Sequence, residues 1–277
     1  MKATLTVLGS GTSMGVPTIG CDCAVCHSSD PHDRRTRPSV LVEYDGRAVL
    51  VDSTPDFYQQ AIREHITHLD AVLYTHAHAD HILGIDDLRP LSFRHKPGKL
   101  PLYARADAAD FIRNMFRYVF DANYRFGGLP QVELKTIDGP LNLFGARFVP
   151  VTVIHGDSEI YGFRFGATAY LTDHSAIPEQ SFGKLENLDI LFLDALRHKP
   201  HPTHSTVENS LKIVERLRPQ RAFFTHICHD LPHEATNAML PPEVRLSYDG
   251  MKLEFEIGDS PDLTPMNADD SGKPKSS

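Results

Sequence analysis

Tyr74-Thr75-His76-Ala77-His78-Ala79-Asp80-His81 follows an apolar run over residues 69–74 and sets three imidazoles and one carboxylate within six residues. The apolar run reads as a buried strand, so the polar side chains emerge at its end. They supply more donors than a single four-coordinate ion uses. His76 and His78 are two apart and in extended backbone project to the same side, while Asp80 and His81 lie just beyond, where the chain should turn into a helix. One segment then serves two neighbouring metals. A polar histidine-rich turn is the plainer alternative, and the full His-x-His-x-Asp-His spacing behind a strand argues against it.

The flanking sequence supplies strands to carry such a site. Residues 3–8 alternate as a first strand, and Gly9-Ser10-Gly11-Thr12-Ser13 follows as a tight loop without the lysine that a Walker phosphate loop requires. Residues 39–44 and 47–51 flank Asp45-Gly46, a hairpin signal. The returning strand ends at Asp52, which serves either to cap a helix over 55–65 or to support a neighbouring metal ligand. Beyond the histidine motif, the sequence predicts a loop and short helix over 82–94 and a strand over 99–104. An amphipathic helix follows over 106–120, with Phe111, Met115 and Val119 expected in the core. Residues 132–137, 141–149 and 148–154 are expected to belong to a second sheet.

The ends of the later strands repeat one pattern. His155 follows 151–154, Asp173 follows a hairpin over 163–172, Asp194 ends 188–194, and His226 ends 222–226, with His204 in the loop Thr203-His204-Ser205. Polar residues recurring at strand ends describe one rim. Residues 244–248 and 251–257, joined at Asp249-Gly250, are expected to form a final hairpin. The composition of 259–277 predicts a disordered tail after a single domain over 1–258.

Composition limits the function classes. With 41% hydrophobic residues, 20 prolines and 18 glycines among 277 residues, the chain favours one domain of strands and loops. A formal net charge of -8 disfavours holding nucleic acid by bulk electrostatics, and a small anionic substrate is compatible. Residues 1–8 are too short an apolar stretch for a secretory signal, and no run approaches membrane-spanning length. A cytoplasmic protein is therefore expected, with its four cysteines reduced. Cys21-Asp22-Cys23-Ala24-Val25-Cys26 then suits a tetrahedral zinc needing one more ligand, from His229, Cys228, His27 or His32. A redox Cys23-x-x-Cys26 pair is the competing reading, and the additional Cys21 counts against it.

The ordered series His76, His78, Asp80, His81, His155, Asp173 and His226 resembles the metallo-β-lactamase superfamily across residues 1–257. The resemblance implies an α/β fold of four αββα layers, two mixed sheets flanked by helices. It assigns His76, His78 and His155 to one metal and Asp80, His81 and His226 to the other, with Asp173 between them and Asp52 orienting a ligand from behind. Asp80, where the diiron oxidoreductase branch has glutamate, favours hydrolysis. The cysteines, together with Gly11-Thr12-Ser13-Met14-Gly15-Val16-Pro17, narrow the likeness to the phosphodiesterases of the carbon-phosphorus lyase pathway. That family implies His229 as the fourth ligand of a structural zinc and His204 as general acid or substrate ligand. It also implies hydrolysis of a small, cyclic ribose phosphate diester by a hydroxide held between two divalent ions, drawn from manganese, zinc, nickel or iron. A homodimer is compatible with all of this. Three other readings stand beside it: a nuclease of the transfer RNA 3' processing type, a relative from the pyrroloquinoline quinone pathway, and a noncatalytic, metal-stabilised binding module.

Overall fold

The computed structural model describes residues 1–121, 123–124 and 127–258. The expected tail over 259–277 lies outside them. The strands are β1 (Lys2–Gly9), β2 (Ser39–Tyr44), β3 (Arg47–Val51), β4 (Ala71–Leu73), β5 (Leu100–Ala104), β6 (Val132–Thr136), β7 (Leu141–Leu143), β8 (Ala146–His155), β9 (Ser158–Phe165), β10 (Thr168–Leu171), β11 (Ile190–Asp194), β12 (Arg221–Thr225), β13 (Val244–Leu246) and β14 (Lys252–Glu256). They form two seven-stranded sheets, ordered β14-β1-β2-β3-β4-β5-β6 and β13-β12-β11-β10-β9-β8-β7. In the first, β14, β1, β2 and β3 pair antiparallel and β3 to β6 pair parallel. The second repeats the scheme, antiparallel from β7 to β10 and parallel from β10 to β13.

Burial on both faces explains the nearly continuous apolar strands. Val49 and Val51 of β3 meet Phe148, Phe165 and Phe192 between the sheets, whereas Ala48 and Leu50 face outward with Leu88, Ala109 and Ile112. On the other side, Leu191 and Leu193 of β11 pack outward with Val207 and Val214. The helices are α1 (Phe57–Arg63), α2 (Ala79–Ile82), α3 (Arg89–Ser92), α4 (Ala106–Met115), α5 (Arg117–Phe120), α6 (Glu179–Phe182), α7 (Val207–Leu217) and α8 (His233–Met239). The result is the four-layer αββα sandwich. The β2–β3 hairpin turns on Asp45 and Gly46 at φ 48° and 70°, the paired positive values that a two-residue type I′ turn demands.

Three expectations need correction. β6 joins the first sheet beside β5 and not the second. The last two strands are no hairpin: β13 extends the second sheet beside β12, and the chain then crosses so that β14 pairs with β1. Asp249 fixes that crossing, its carboxylate accepting from the backbone and hydroxyl of both Ser10 and Thr36. In α4 the buried stripe is Ala108, Ala109 and Ile112, small enough for the helix to lie close on the sheet, which leaves Phe111 and Met115 exposed.

A candidate dinuclear metal centre and a thiol cluster

The rim gathers at the ends of strands from both sheets. Residues after β3, β4, β10 and β12 supply Asp52, the histidine motif, Asp173 and His226, and β8 itself ends in His155. Ligand sites at the carboxyl ends of parallel strands are the rule in α/β folds. Asp52, Asp173 and His226 leave their strands at φ 64°, 56° and 57°, a left-handed backbone uncommon for residues with a Cβ. Such conformations concentrate where the surroundings force a side chain to a functional position. His78 caps α2, so Asp80 and His81 fall in its first turn, as the sequence predicts.

Two donor groups result. His76, His78 and His155 form one, and Asp80, His81, Asp173 and His226 the other, each with its donor atoms within 4.8 Å of one another. Asp173 also groups with His155 and His204, so it adjoins both. The groups behind them set their tautomers. His81 Nδ1 donates to Asp52 Oδ2 at 2.7 Å, while Asp52 accepts from the Thr75 N–H at 2.9 Å and the Thr75 hydroxyl at 2.8 Å. His155 Nδ1 donates to the Thr203 carbonyl at 2.8 Å. Each ring therefore turns Nε2 toward the rim, the arrangement that prepares an imidazole for a metal. Asp52 thus lies behind His81 and is not the helix cap, a place Asp56 takes.

The buried carboxylates of the rim favour positive charge beside them. Burial pushes the Asp80 and Asp173 carboxyls up, but His81 and His226 outweigh it and hold both below the ordinary carboxylate range. Burial lowers His226, and Asp173 and Asp80 override it to bring the ring up to about 9. Ionised carboxylates this deeply buried are costly without compensating positive charge. The Nε2 atoms of His76, His81 and His226 are buried and make no hydrogen bond. Unsatisfied imidazole nitrogens beside buried carboxylates match the donor set that divalent zinc, manganese, nickel or iron takes.

His204 sits at the edge of this rim, its ring 4.4 Å from that of His226 and 4.8 Å from that of His155. Its Nδ1 lies 2.6 Å from Asp194 Oδ2, and Asp194 also accepts from the Leu196 N–H at 3.1 Å. Asp194 stands out in the sequence as another strand end, but only the fold pairs it with His204. The cavity beside His76, His78 and His155 measures about 320 Å³ and is walled by Phe111, Ile160 and Arg105. Phe111, expected in the core, belongs to this cavity.

The thiols converge as a second centre. Cys21, Cys23 and Cys26 place their sulfurs 3.1, 3.5 and 3.4 Å from His229 Nδ1. A tetrahedron with zinc–sulfur and zinc–nitrogen bonds of about 2.3 and 2.0 Å has sulfur–nitrogen edges of roughly 3.5 Å. The donors therefore fit zinc. A backbone N–H of Cys26 brings the Cys23 thiol down to about 7, and burial pushes Cys26 up to about 11. Cys228 points elsewhere, its sulfur accepting from the Asp230 N–H, and all four cysteines are free. Arg35 is fully buried and ties the turn before β2 to the segment after β12, donating to the carbonyls of Cys228 and Leu231 and to Asp33.

The pattern of the Beta-lactamase superfamily domain matches residues 47–227, and the chain belongs to that superfamily. Within it, the crystal structure of a new diphosphatase from the PhnP family is 60% identical, covers 93% of this chain and 99% of its own, and superposes with a TM-score of 0.89. Within that superfamily this chain resembles the PhnP family. Zinc-bound PqqB from Methylobacterium extorquens shares the fold at 20% identity and a TM-score of 0.75, with 90% of this chain and 99% of its own covered. An octanoyltransferase of Porphyromonas gingivalis is 38% identical over 89% of this chain and 50% of its own length. A ribonuclease Z of Bradyrhizobium diazoefficiens is 28% identical over 51% of this chain and 48% of its own. The chain spans about half the length of these two relatives. Among the described residues no helix is long and apolar enough to cross a membrane.

Proposed function

We propose that the chain is a phosphodiesterase, acting on small anionic diesters of the cyclic ribose phosphate class. His76, His78 and His155 would hold one divalent ion, and Asp80, His81 and His226 the other, with Asp173 between them. Cys21, Cys23, Cys26 and His229 would hold a structural zinc. The observation that carries this reading is the pairing of two donor groups with one adjacent imidazole, His204, whose far nitrogen is tied to a buried carboxylate. When bound, the two ions supply a water of lowered pKa and charge to neutralise phosphoryl oxygens.

The chain's own residues do the rest. Asp52 and the Thr203 carbonyl keep His81 and His155 in one tautomer, so the donors need no reorganisation. Asp194 does the same for His204, whose Nε2 is left facing the rim as the group that protonates a departing alkoxide or binds a phosphoryl oxygen. Burial and then the His226 charge hold His204 down to about 4, and an anionic substrate beside it opposes that depression. The cavity walled by Phe111 and Ile160 offers room for the diester's remaining substituent. We also propose a cytoplasmic location, where cysteines that form no disulfide stay reduced.

The relative at 60% identity favours a second reading, cleavage of a diphosphate, in which the same site attacks a P–O–P link. The formal charge of -8 counts against a nuclease reading. The test is one panel at equal enzyme concentration with manganese, nickel or zinc: cyclic phosphodiesters, diphosphates, phosphomonoesters, a β-lactam, a thioester and short RNA. Highest kcat/KM on the cyclic diesters is expected. Preference for the diphosphates would transfer the assignment to the second reading, and preference for any other class would overturn both.

A further inference from the structure

Away from the rim and the thiols, His32, His233 and Glu234 bring a third donor set within 4.8 Å of one another. His32 lies in the 3-10 turn Pro31–Asp33, and His233 opens α8. The Nδ1 atoms of both rings are buried and make no hydrogen bond, and His233 is only 4% exposed. A buried polar nitrogen without a partner is uncommon and costly, and calls for an explanation. Ring contacts do not provide one: His32 packs 4.6 Å from His233 and 4.3 Å from Tyr248, which fixes the ring planes and leaves the nitrogens unused. Carboxylate oxygens stand nearby, Asp30 Oδ1 at 3.4 Å and Glu234 Oε1 at 3.9 Å from His32 Nδ1.

The backbone at this place is fixed without help from any ion. The His233 N–H donates to Asp33 Oδ1 at 2.9 Å, and the Arg35 guanidinium holds Asp33 at 3.0 Å and the Leu231 carbonyl at 2.7 Å. Asp33 also takes up the Arg35 charge that would otherwise repel a cation. We propose that His32, His233 and Glu234 form a further divalent-metal site, distinct from the centres on the rim and at the thiols. Two imidazoles with a carboxylate suit zinc, cobalt or nickel and not calcium or magnesium. Donors on one such ion stand roughly 3.3 Å apart, and the exposed Glu234 carboxylate, 3.9 Å from His32 Nδ1, is free to rotate to that spacing. That open side lets the ion exchange with solvent.

The test uses the purified holoprotein and its His32→Ala, Glu234→Ala and Cys23→Ser variants, dialysed to equilibrium against zinc and analysed for metal per chain. Wild type is expected to hold one zinc more than either His32→Ala or Glu234→Ala. The added ion should raise the melting temperature of wild type and not of those two variants. With cobalt, the ion lost in these variants should lack the sulfur-to-metal charge-transfer absorption that the thiol site gives. Glu234 is exposed and outside any core, so its replacement leaves the fold intact and keeps the comparison valid. Equal zinc content in wild type, His32→Ala and Glu234→Ala overturns the site and leaves the rings as simple stacking partners. Loss of the extra ion only in Cys23→Ser overturns it as well, by assigning that ion to the thiols.

Discussion

His81 reaches the rim with Nδ1 already held by Asp52 and that carboxylate already held by Thr75, whereas Cys21, Cys23 and Cys26 meet His229 from a loop of turns. On the rim, His155 and His204 are likewise fixed by the Thr203 carbonyl and Asp194. At the thiols, Cys21 and Cys23 are partly exposed, and N–H groups from Cys26 and Thr18 are the protein's main restraints on the sulfurs. The rim's geometry is set by the fold, and the loop's geometry, on the proposed zinc reading, would depend on its ion. Metal loss at the rim should therefore cost chemistry, and metal loss at the thiols should cost structure.

The largest effect expected is at the rim's own ligands. Asp80→Ala and His78→Ala each remove a donor from the segment around α2 without opening a hydrophobic core, so diester turnover should fall further than the about 10- to 100-fold that losing a supporting group costs. The melting temperature should stay within a few degrees of wild type. Hydrolysis and metal content measured on the same samples check this, and wild-type rates in both variants would remove the rim from the chemistry.

Next in size is His204→Ala. If His204 protonates the leaving oxygen, an ester with a poor alkoxide leaving group should slow about 100-fold, while a nitrophenyl ester, whose leaving group needs no proton, should barely change. Equal losses on the two esters would instead make His204 a substrate ligand. Asp52→Asn comes third. It keeps the size of the buried side chain but has one acceptor oxygen where the carboxylate has two, so the Thr75 N–H and His81 Nδ1 can no longer both be accepted, and it should cost about 10- to 100-fold in metal affinity or rate. A variant that binds metal and turns over like wild type would mean that the rim is not set from behind, and the contrast with the thiol loop would fail.

Much of this was legible in the sequence because the polar residues of the rim interrupt apolar runs, and a strand end is where an apolar run stops. His76 to His81, His155, Asp173 and His226 all announce themselves that way. Strand partners do not. The apolar runs of β6 and β13 fit either sheet, and only closure of the whole sandwich assigns β6 to the first and separates β13 from β14. Phe111 reads as core in the sequence because an apolar helical stripe does not say which of its members is small enough to touch the sheet. Arg35 stands between Arg34 and Arg37 in the sequence with nothing local to mark it as buried, yet two of its acceptors are carbonyls near His229, distant in sequence. The pairing of Asp194 with His204 crosses a loop and has no local signature.

The smallest effect on chemistry, and the clearest on structure, is expected at the cysteines. Three thiolates and His229 fill a tetrahedral shell and leave no open position for substrate, so this zinc would join residues 21–26 to the segment after β12. Binding energy of such an ion is folding energy. Cys23→Ser should lose about one zinc per chain and melt several degrees lower, each kcal/mol being worth roughly 2–4 °C in a domain of this size. The fraction that stays folded should keep its rim metals and its rate per molecule. Cys228→Ser is the control: its sulfur meets the Asp230 N–H and His229 carries the ring nitrogen facing the thiols, so neither zinc nor stability should follow its loss beyond a small packing change. Zinc lost from Cys228→Ser and kept in His229→Ala would exchange the fourth ligand. Full zinc and full stability in Cys23→Ser would mean that the loop holds its shape unaided, and that the two regions do not differ in the way their contacts indicate.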